Sequence, residues 1–540
     1  MKRLQLILLL LLFGMTPAQA DPPNPDVDVL HYTFRLRLSD LSNEIRGETT
    51  LVARFLADDV ATLDLDLIGP GGSNNQGMTV TAVTEGGNQV AFTHEANRLR
   101  LALAAPPRAQ EQRTYTITYL GIPVDGLIIG TNKYGDRTFF GDNWPNRARH
   151  WLPTVDHPSD KALCEFIITA PDHYQVVGCG ALVEETNLPG DTRLTHWRSE
   201  VPMATKVMVV GVARFAVQYV DEYQGTSIQS WVYPQDREAG FYDYALAEPI
   251  LAFFEGHIGP YPYAKLANVQ AKTRFGGMEN ASNIFYREGS VTGTRQSERL
   301  LAHEIAHQWF GDSVTEADWP HVWLSEGFAT YLAQLYLEYT HGRDRLLAGM
   351  QEARSTVIRY FENNPRPIVD PTVTDLMRLL NPNAYQKGAW VLHMLRGIVG
   401  TEVFWDGLRA YYRQYRDGNA SSEDFQRVME TASGRDLGWF FEQWLHQTGH
   451  PRYEGTWHYD RAAHQLSVTL NQVQTHGAFF RMPVELGIYT HGGERLRIEM
   501  LDVAEQKNTF TIALDADEIP ADVVLDPNFW VLMEARFSER

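Results

Sequence analysis

His303-Glu304-Ile305-Ala306-His307 is the stretch that orders the rest of the chain, and Glu326 follows it after eighteen intervening residues. On a helix, side chains four apart share one face, so the two imidazoles can aim at one point. Two imidazoles and a carboxylate suit a catalytic zinc ion, which takes three protein ligands and keeps a fourth position open. Glu304 lies one step along, beside the pair, where its carboxylate can take a proton from an attacking water. Leu300, Leu301, Ile305, Trp309 and Phe310 give the helix a buried side, with Ser297 as its cap and Gly311-Asp312 as its stop. Trp323-Leu324-Ser325-Glu326-Gly327-Phe328-Ala329-Thr330-Tyr331-Leu332 opens a second helix, whose first turn carries Glu326.

The chain has 540 residues, a length for three or four domains, with 44% hydrophobic and 11% aromatic residues to fill their cores. A formal net charge of −20 argues against nucleic acid or an anionic membrane as partner. Lys2 and Arg3, the apolar run from Leu4 to Met15, and Ala18-Gln19-Ala20 read as a secretory signal over residues 1–20. That run is too short to span a bilayer, and no later apolar stretch is long enough. The expectation is an exported protein, periplasmic or secreted, with no integral membrane segment after signal removal. Cys164 and Cys179 lie on either side of the turn Pro171-Asp172-His173-Tyr174. Facing each other across a hairpin, they would form a disulfide or remain two buried thiols; neither arrangement has metal-type spacing.

Residues 21–219 read as β. His31 to Asp40 alternates cleanly, and similar runs recur at 47–55, 78–84, 99–103, 114–120, 163–169 and 204–217. Turn residues separate them, as in a large antiparallel sandwich. Residues 220–450 are mixed, then helical, with helices expected over 296–310, 323–341, 344–361, 384–399, 402–415 and 422–432. Gly449-His450-Pro451 stops the last helical stretch. Residues 451–540 return to alternation and suit one small sandwich.

Three motifs in order resemble one family, that of aminopeptidase N and the leukotriene hydrolase/aminopeptidase. Gly276-Gly277-Met278-Glu279-Asn280 looks like its Gly-x-Met-Glu-Asn segment, His303, Glu304, His307 and Glu326 match its zinc motif, and Tyr385-Gln386-Lys387-Gly388 is similar to its Tyr-x-Lys-Gly segment. The resemblance covers almost the whole chain beyond residue 20. It implies a multidomain α+β fold: an N-terminal antiparallel β-sandwich, a thermolysin-like α/β metallopeptidase domain and a small C-terminal Ig-like β-sandwich, a short form without the C-terminal helical domain. It implies one Zn2+ per chain on His303, His307 and Glu326, with Glu304 as general base. Gly276, Gly277, Met278, Glu279 and Asn280 would bind substrate: Glu279 takes the free α-amine, and the two glycines let the peptide backbone approach. Tyr385 would donate its phenol to the oxyanion of the tetrahedral intermediate.

Three positions depart from the pattern. Many relatives hold the amine with an acidic residue or Gln on a sandwich loop; matched to Asp142-Asn143-Trp144-Pro145-Asn146-Arg147-Ala148-Arg149, that place falls to Trp144, with Asp142 nearby. Relatives often place an acid seven residues after the third ligand, to orient a zinc-bound histidine; here Ala333 stands there. The missing helical domain would leave a more open site. The function implied is a zinc aminopeptidase acting on peptides with a free N-terminus. Its rivals are an endopeptidase or epoxide hydrolase on the same scaffold, and a non-catalytic peptide-binding scaffold. His321, His393 and His446 lack ligand spacing and read as structural.

Overall fold

A run of alternating strands opens the molecule. In the Val27–Arg37 strand, Val29, Tyr32, Phe34 and Leu36 are buried while Arg35 and Arg37 face solvent. The structure, a computed structural model, describes residues 25–71, 75–477, 479–490 and 496–540; the expected signal segment, 1–20, lies outside the described residues.

The first domain is built on a nine-stranded sheet, backed by a four-stranded sheet and a three-stranded one. Its large sheet is mixed, which corrects the expectation of an antiparallel sandwich. Val27–Arg37 runs parallel to Lys161–Pro171, with His31 opposite Leu163, and antiparallel to Ile45–Phe55. A long excursion separates the parallel pair, so no tight turn forces them antiparallel. The hairpin expected around residues 171–174 is also absent. Lys161–Pro171 pairs with Thr192–Arg198 in the large sheet, while Gln175–Gly178 pairs with Val210–Ala213 in the four-stranded one. The turn therefore crosses between sheets, and Cys164 and Cys179 are free, buried thiols. The run 204–217 is broken by a 3-10 turn at Thr205–Val207.

Ala216–Tyr223 pairs with Thr226–Val232. It is the edge strand of a five-stranded sheet that continues through Lys265–Ala271, Asn283–Arg287 and Gly277–Met278. The boundary expected between 219 and 220 thus falls inside a strand of the second domain. Helices Glu298–His307, Trp323–His341, Arg343–Phe361, Gly388–Val399, Thr401–Tyr415 and Ser422–Ser433 pack beyond that sheet. Ser297 stands at the N-cap position of the first of these, as expected, but its hydroxyl makes no capping bond and donates instead to the Ser290 carbonyl at 2.7 Å. The last part holds a four-stranded sheet and a three-stranded sheet, with Leu466, Val468 and Leu470 buried on one and Val484, Leu486 and Ile488 on the other. Among the described residues, no helix is long and apolar enough to cross a membrane.

The first domain braces the helical one with two lysines, Lys206 buried and Lys161 partly so. Lys206 pairs with Glu316 at 2.5 Å. Lys161 Nζ donates to the carbonyls of Asp312 at 2.9 Å and Ser313 at 2.7 Å, immediately beyond the Glu298–His307 helix.

Candidate active site

The Glu298–His307 helix presents His303 and His307, and the Trp323–His341 helix packs against it, bringing in Glu326 from its first turn. His303 Nε2 lies 3.1 Å from His307 Nε2, and Glu326 Oε2 is 3.5 Å from the first and 3.3 Å from the second. A tetrahedron with zinc–ligand bonds of roughly 2.05 Å sets its ligand atoms about 3.3 Å apart. The three donor atoms already have that spacing, and the buried Glu326 Oε2 has no hydrogen-bond partner. His307 Nδ1 is 3.2 Å from the Phe310 carbonyl and 3.0 Å from Ser325 Oγ. A proton on Nδ1, donated to that carbonyl, leaves the Nε2 lone pair for a metal. Ser325 and a backbone carbonyl therefore orient His307, while Ala333 lines the adjacent cavity.

A second cluster lies alongside: ligand atoms of Glu279, Glu304 and His307 fall within 4.8 Å of one another. The charges are strongly coupled. Burial raises Glu304 well above the usual carboxylate range, and raises Glu279, against the pull of His307. Glu326 is lowered despite its burial, because His307 and His303 favour its charged form. Burial works to lower His307, but Glu279 and Glu326 overcome it and raise it to about 10. So many buried carboxylates around two imidazoles fit a divalent cation at the first cluster and an ammonium beside Glu279.

A cavity of about 340 Å³ opens onto both clusters, walled by Trp144, Phe275, Met278, Leu300, Leu380 and Tyr385. Gly277–Met278 is the edge strand of its sheet, facing the cavity and paired on one side only, Gly277 with Tyr286 and Met278 with Phe285. That edge offers backbone groups to an extended peptide. The reason for Gly277 is nevertheless internal: a Cβ there would lie 2.3 Å from Glu304 Oε1. A Cβ on Gly276 would meet only Leu300, at an ordinary contact distance of 3.8 Å. Tyr385 stands in a π-helical turn, Asn383–Lys387, with its ring stacked on His303 at 6.1 Å between centroids. Burial and the Glu326, Glu279 and Glu304 carboxylates raise its pKa well above the ordinary value, so it keeps its proton as a donor.

Trp144 lies edge-on to Phe275 and Trp319, both at 6.1 Å, and closes the cavity on the side of the first domain. Asp142 is not among the residues that wall the cavity. It is buried, pairs with Arg147 at 2.5 Å and accepts from the Arg274 N–H at 3.2 Å. His393 and His321 have structural partners: Tyr331 Oη and the Phe529 carbonyl for the first, Ser422 Oγ for the second.

Sequence reasoning missed Ser325, Gln308 and the Gly327–Gly388 contact. The last brings two helices close: a Cβ on Gly327 would lie 2.9 Å from Gly388 Cα, so Tyr385 can stand near Glu326. Gln308 carried no signal beyond its place after His307. Gly388 lay in a quoted motif, but its partner Gly327 is distant in sequence.

Residues 242–444 match the profile of the Peptidase family M1 domain, and residues 29–207 that of the Peptidase M1 N-terminal domain. The chain is 27% identical over 323 residues to Aminopeptidase M1 of Arabidopsis thaliana, covering 57% of this chain and 36% of that protein. It is 28% identical to Tricorn protease-interacting factor F2 of Thermoplasma volcanium, covering 56% and 40% respectively. To Glutamyl aminopeptidase of Rattus norvegicus it is 25% identical, covering 57% and 34%. These alignments span well under half the length of the curated relatives. The two profiles fall on the first domain and on the helical domain that holds the two clusters, in the order the fold requires, and the chain belongs to peptidase family M1.

Proposed function

We propose that this protein is a zinc-dependent aminopeptidase that releases N-terminal residues from unblocked peptides. One observation carries the reading: a three-donor cluster with tetrahedral spacing and a separate buried carboxylate, Glu279, border one cavity. His303, His307 and Glu326 hold the zinc. When bound, zinc supplies Lewis acidity that polarises a carbonyl and makes water a stronger acid. Glu304 takes the proton of the attacking water and delivers it to the leaving amine. Burial raises its pKa above that of an ordinary carboxylate, which makes it the stronger base for the first step. Tyr385 donates its O–H to the oxyanion that develops on the scissile carbonyl.

Glu279 pairs with the substrate ammonium, and the Gly276–Asn280 segment lies along the peptide backbone. A blocked terminus would leave Glu279 buried and unpaired, which disfavours its binding. With Asp142 tied to Arg147, amine recognition rests on Glu279, and Trp144 walls the first side-chain subsite. The C-terminal pair of sheets is read as a small Ig-like sandwich, and residues 1–20 as an export signal; N-terminal sequencing of protein from culture medium or periplasm should start at Asp21. The deciding experiment compares a free peptide with its N-acetylated twin, with and without chelator, in the parent and Glu304→Ala. Cleavage should need the free amine and the metal, and the variant should keep zinc but lose turnover by several orders of magnitude. Equal cleavage of both peptides, or normal turnover of Glu304→Ala, refutes the reading.

A further inference from the structure

Gln308 follows the second histidine, is fully buried, and belongs to neither cluster. Its side-chain amide is used on all sides. Nε2 donates to the Glu279 carbonyl at 2.6 Å and to Asp312 Oδ2 at 2.8 Å. Oε1 accepts from the Ser282 N–H at 2.8 Å and from Tyr261 Oη at 3.1 Å. Two acceptors face one end and two donors the other, so only one orientation of the amide fits.

Two of these bonds grip the backbone of one loop, at Glu279 and at Ser282. That loop is held in an unfavourable shape: Ser282 has φ 64, a left-handed conformation that a serine adopts at a cost. Lys265 Nζ holds its far side, 3.1 Å from Ser282 Oγ and 3.2 Å from Asn283 Oδ1. Gln308 itself is anchored to the metal-binding helix, its N–H donating to the Ile305 carbonyl at 3.2 Å. One side chain thus ties the carboxylate that meets the amine to the helix that carries His303 and His307.

We propose that Gln308 is a positioning residue that fixes the separation between Glu279 and the His303–His307–Glu326 cluster, so that the bond cleaved is the first one behind a free amine. The inference rests on the aminopeptidase reading and deepens it: exopeptidase register is set by a buried amide that touches no substrate. Gln308→Met keeps the bulk and removes all four bonds. Gln308→Glu sets a carboxylate oxygen against the Glu279 carbonyl and Asp312 Oδ2, where every neighbour is an acceptor, and should be the more damaging change.

The test uses two metal-binding probes, an α-amino hydroxamate and its des-amino analogue, on full-length zinc-loaded protein, together with kcat and KM on an aminoacyl anilide. The parent should prefer the amine-bearing probe. A misplacement of about 1 Å costs up to about a hundredfold, so Gln308→Met should weaken the amine-bearing probe at least about tenfold and leave the other unchanged. KM should rise more than kcat falls, and zinc content should hold. Tyr261→Phe removes one donor to Oε1 and should shift the same preference by a smaller factor, which keeps the test alive if Gln308→Met does not fold. Equal weakening of both probes, or an unchanged preference in the folded variants, overturns the role of Gln308. A parent that binds both probes alike overturns the aminopeptidase reading itself, a distinct outcome.

Discussion

Replacing Tyr385 with Phe removes one oxygen and little else. The ring can keep its stacking on His303 and Ser325 still supports His307, while the phenol's hydrogen bond to the Glu326 carboxylate goes with the oxygen. The lost group is a neutral donor at the cavity wall, beside His303 of the His303–His307–Glu326 cluster. Deleting one such donor to a developing oxyanion costs about 2.7–4 kcal/mol, or about 10²–10³ in kcat. The donor meets charge that exists only in the transition state, so KM should change little. The assay is steady-state kcat and KM on an aminoacyl anilide, with metal content measured on the same sample. A kcat within about threefold of the parent would refute oxyanion stabilisation by Tyr385. A raised KM with unchanged kcat would make it a substrate-binding group instead.

Ser325→Ala leaves the Phe310 carbonyl as the sole partner of His307 Nδ1, and zinc affinity measured by competition with a chelator should fall by about 10–100-fold. Gly327→Ala forces a methyl against Gly388 Cα and the Ala384 carbonyl, both backbone atoms that cannot turn aside. It should lower the unfolding temperature and kcat together, by moving Tyr385 away from Glu326; an unchanged crystal packing of the two helices would refute this. His393 gives a pH dependence. Burial lowers its pKa to about 3, its Nε2–H donating to the Phe529 carbonyl and its ring stacked on Trp530 at 4.8 Å. The unfolded chain protonates it below about 6.5 while the folded chain does not, so stability from this group is present above that pH and falls as pH drops, by about 1.4 kcal/mol per unit. Denaturant unfolding of His393→Gln between pH 4 and 7 should show a shallower acid limb than the parent; identical limbs would count against the assignment.

Much of the helical domain is legible in sequence because its signals are local. The expected helix over 323–341 coincides with Trp323–His341, since its apolar face and the following glycine act within a few residues. Strands near 47–55 and 114–120 are legible for the same reason, through alternation. Pairing is not local: nothing in the run from Lys161 to Pro171 says that its neighbour is Val27–Arg37, or that the next turn leaves the sheet. Hence the mixed sheet went unread, and the choice between a disulfide and two buried thiols stayed open until the fold separated Cys164 from Cys179.

The site divides in the same way. Sequence alone determines that two imidazoles share a helix face, because a four-residue spacing is a property of the helix itself. It also places Glu304 beside them and names Glu326, Glu279 and Tyr385 as candidates. Tertiary structure alone decides that Glu326 Oε2 comes within 3.5 Å of both rings, that Asp142 spends its charge on Arg147, and that Gln308 ties the Glu279 loop to the helix of His303 and His307. Those facts depend on how elements far apart in the chain pack together, and close packing is settled by the whole set of contacts at once, which no single stretch of residues encodes.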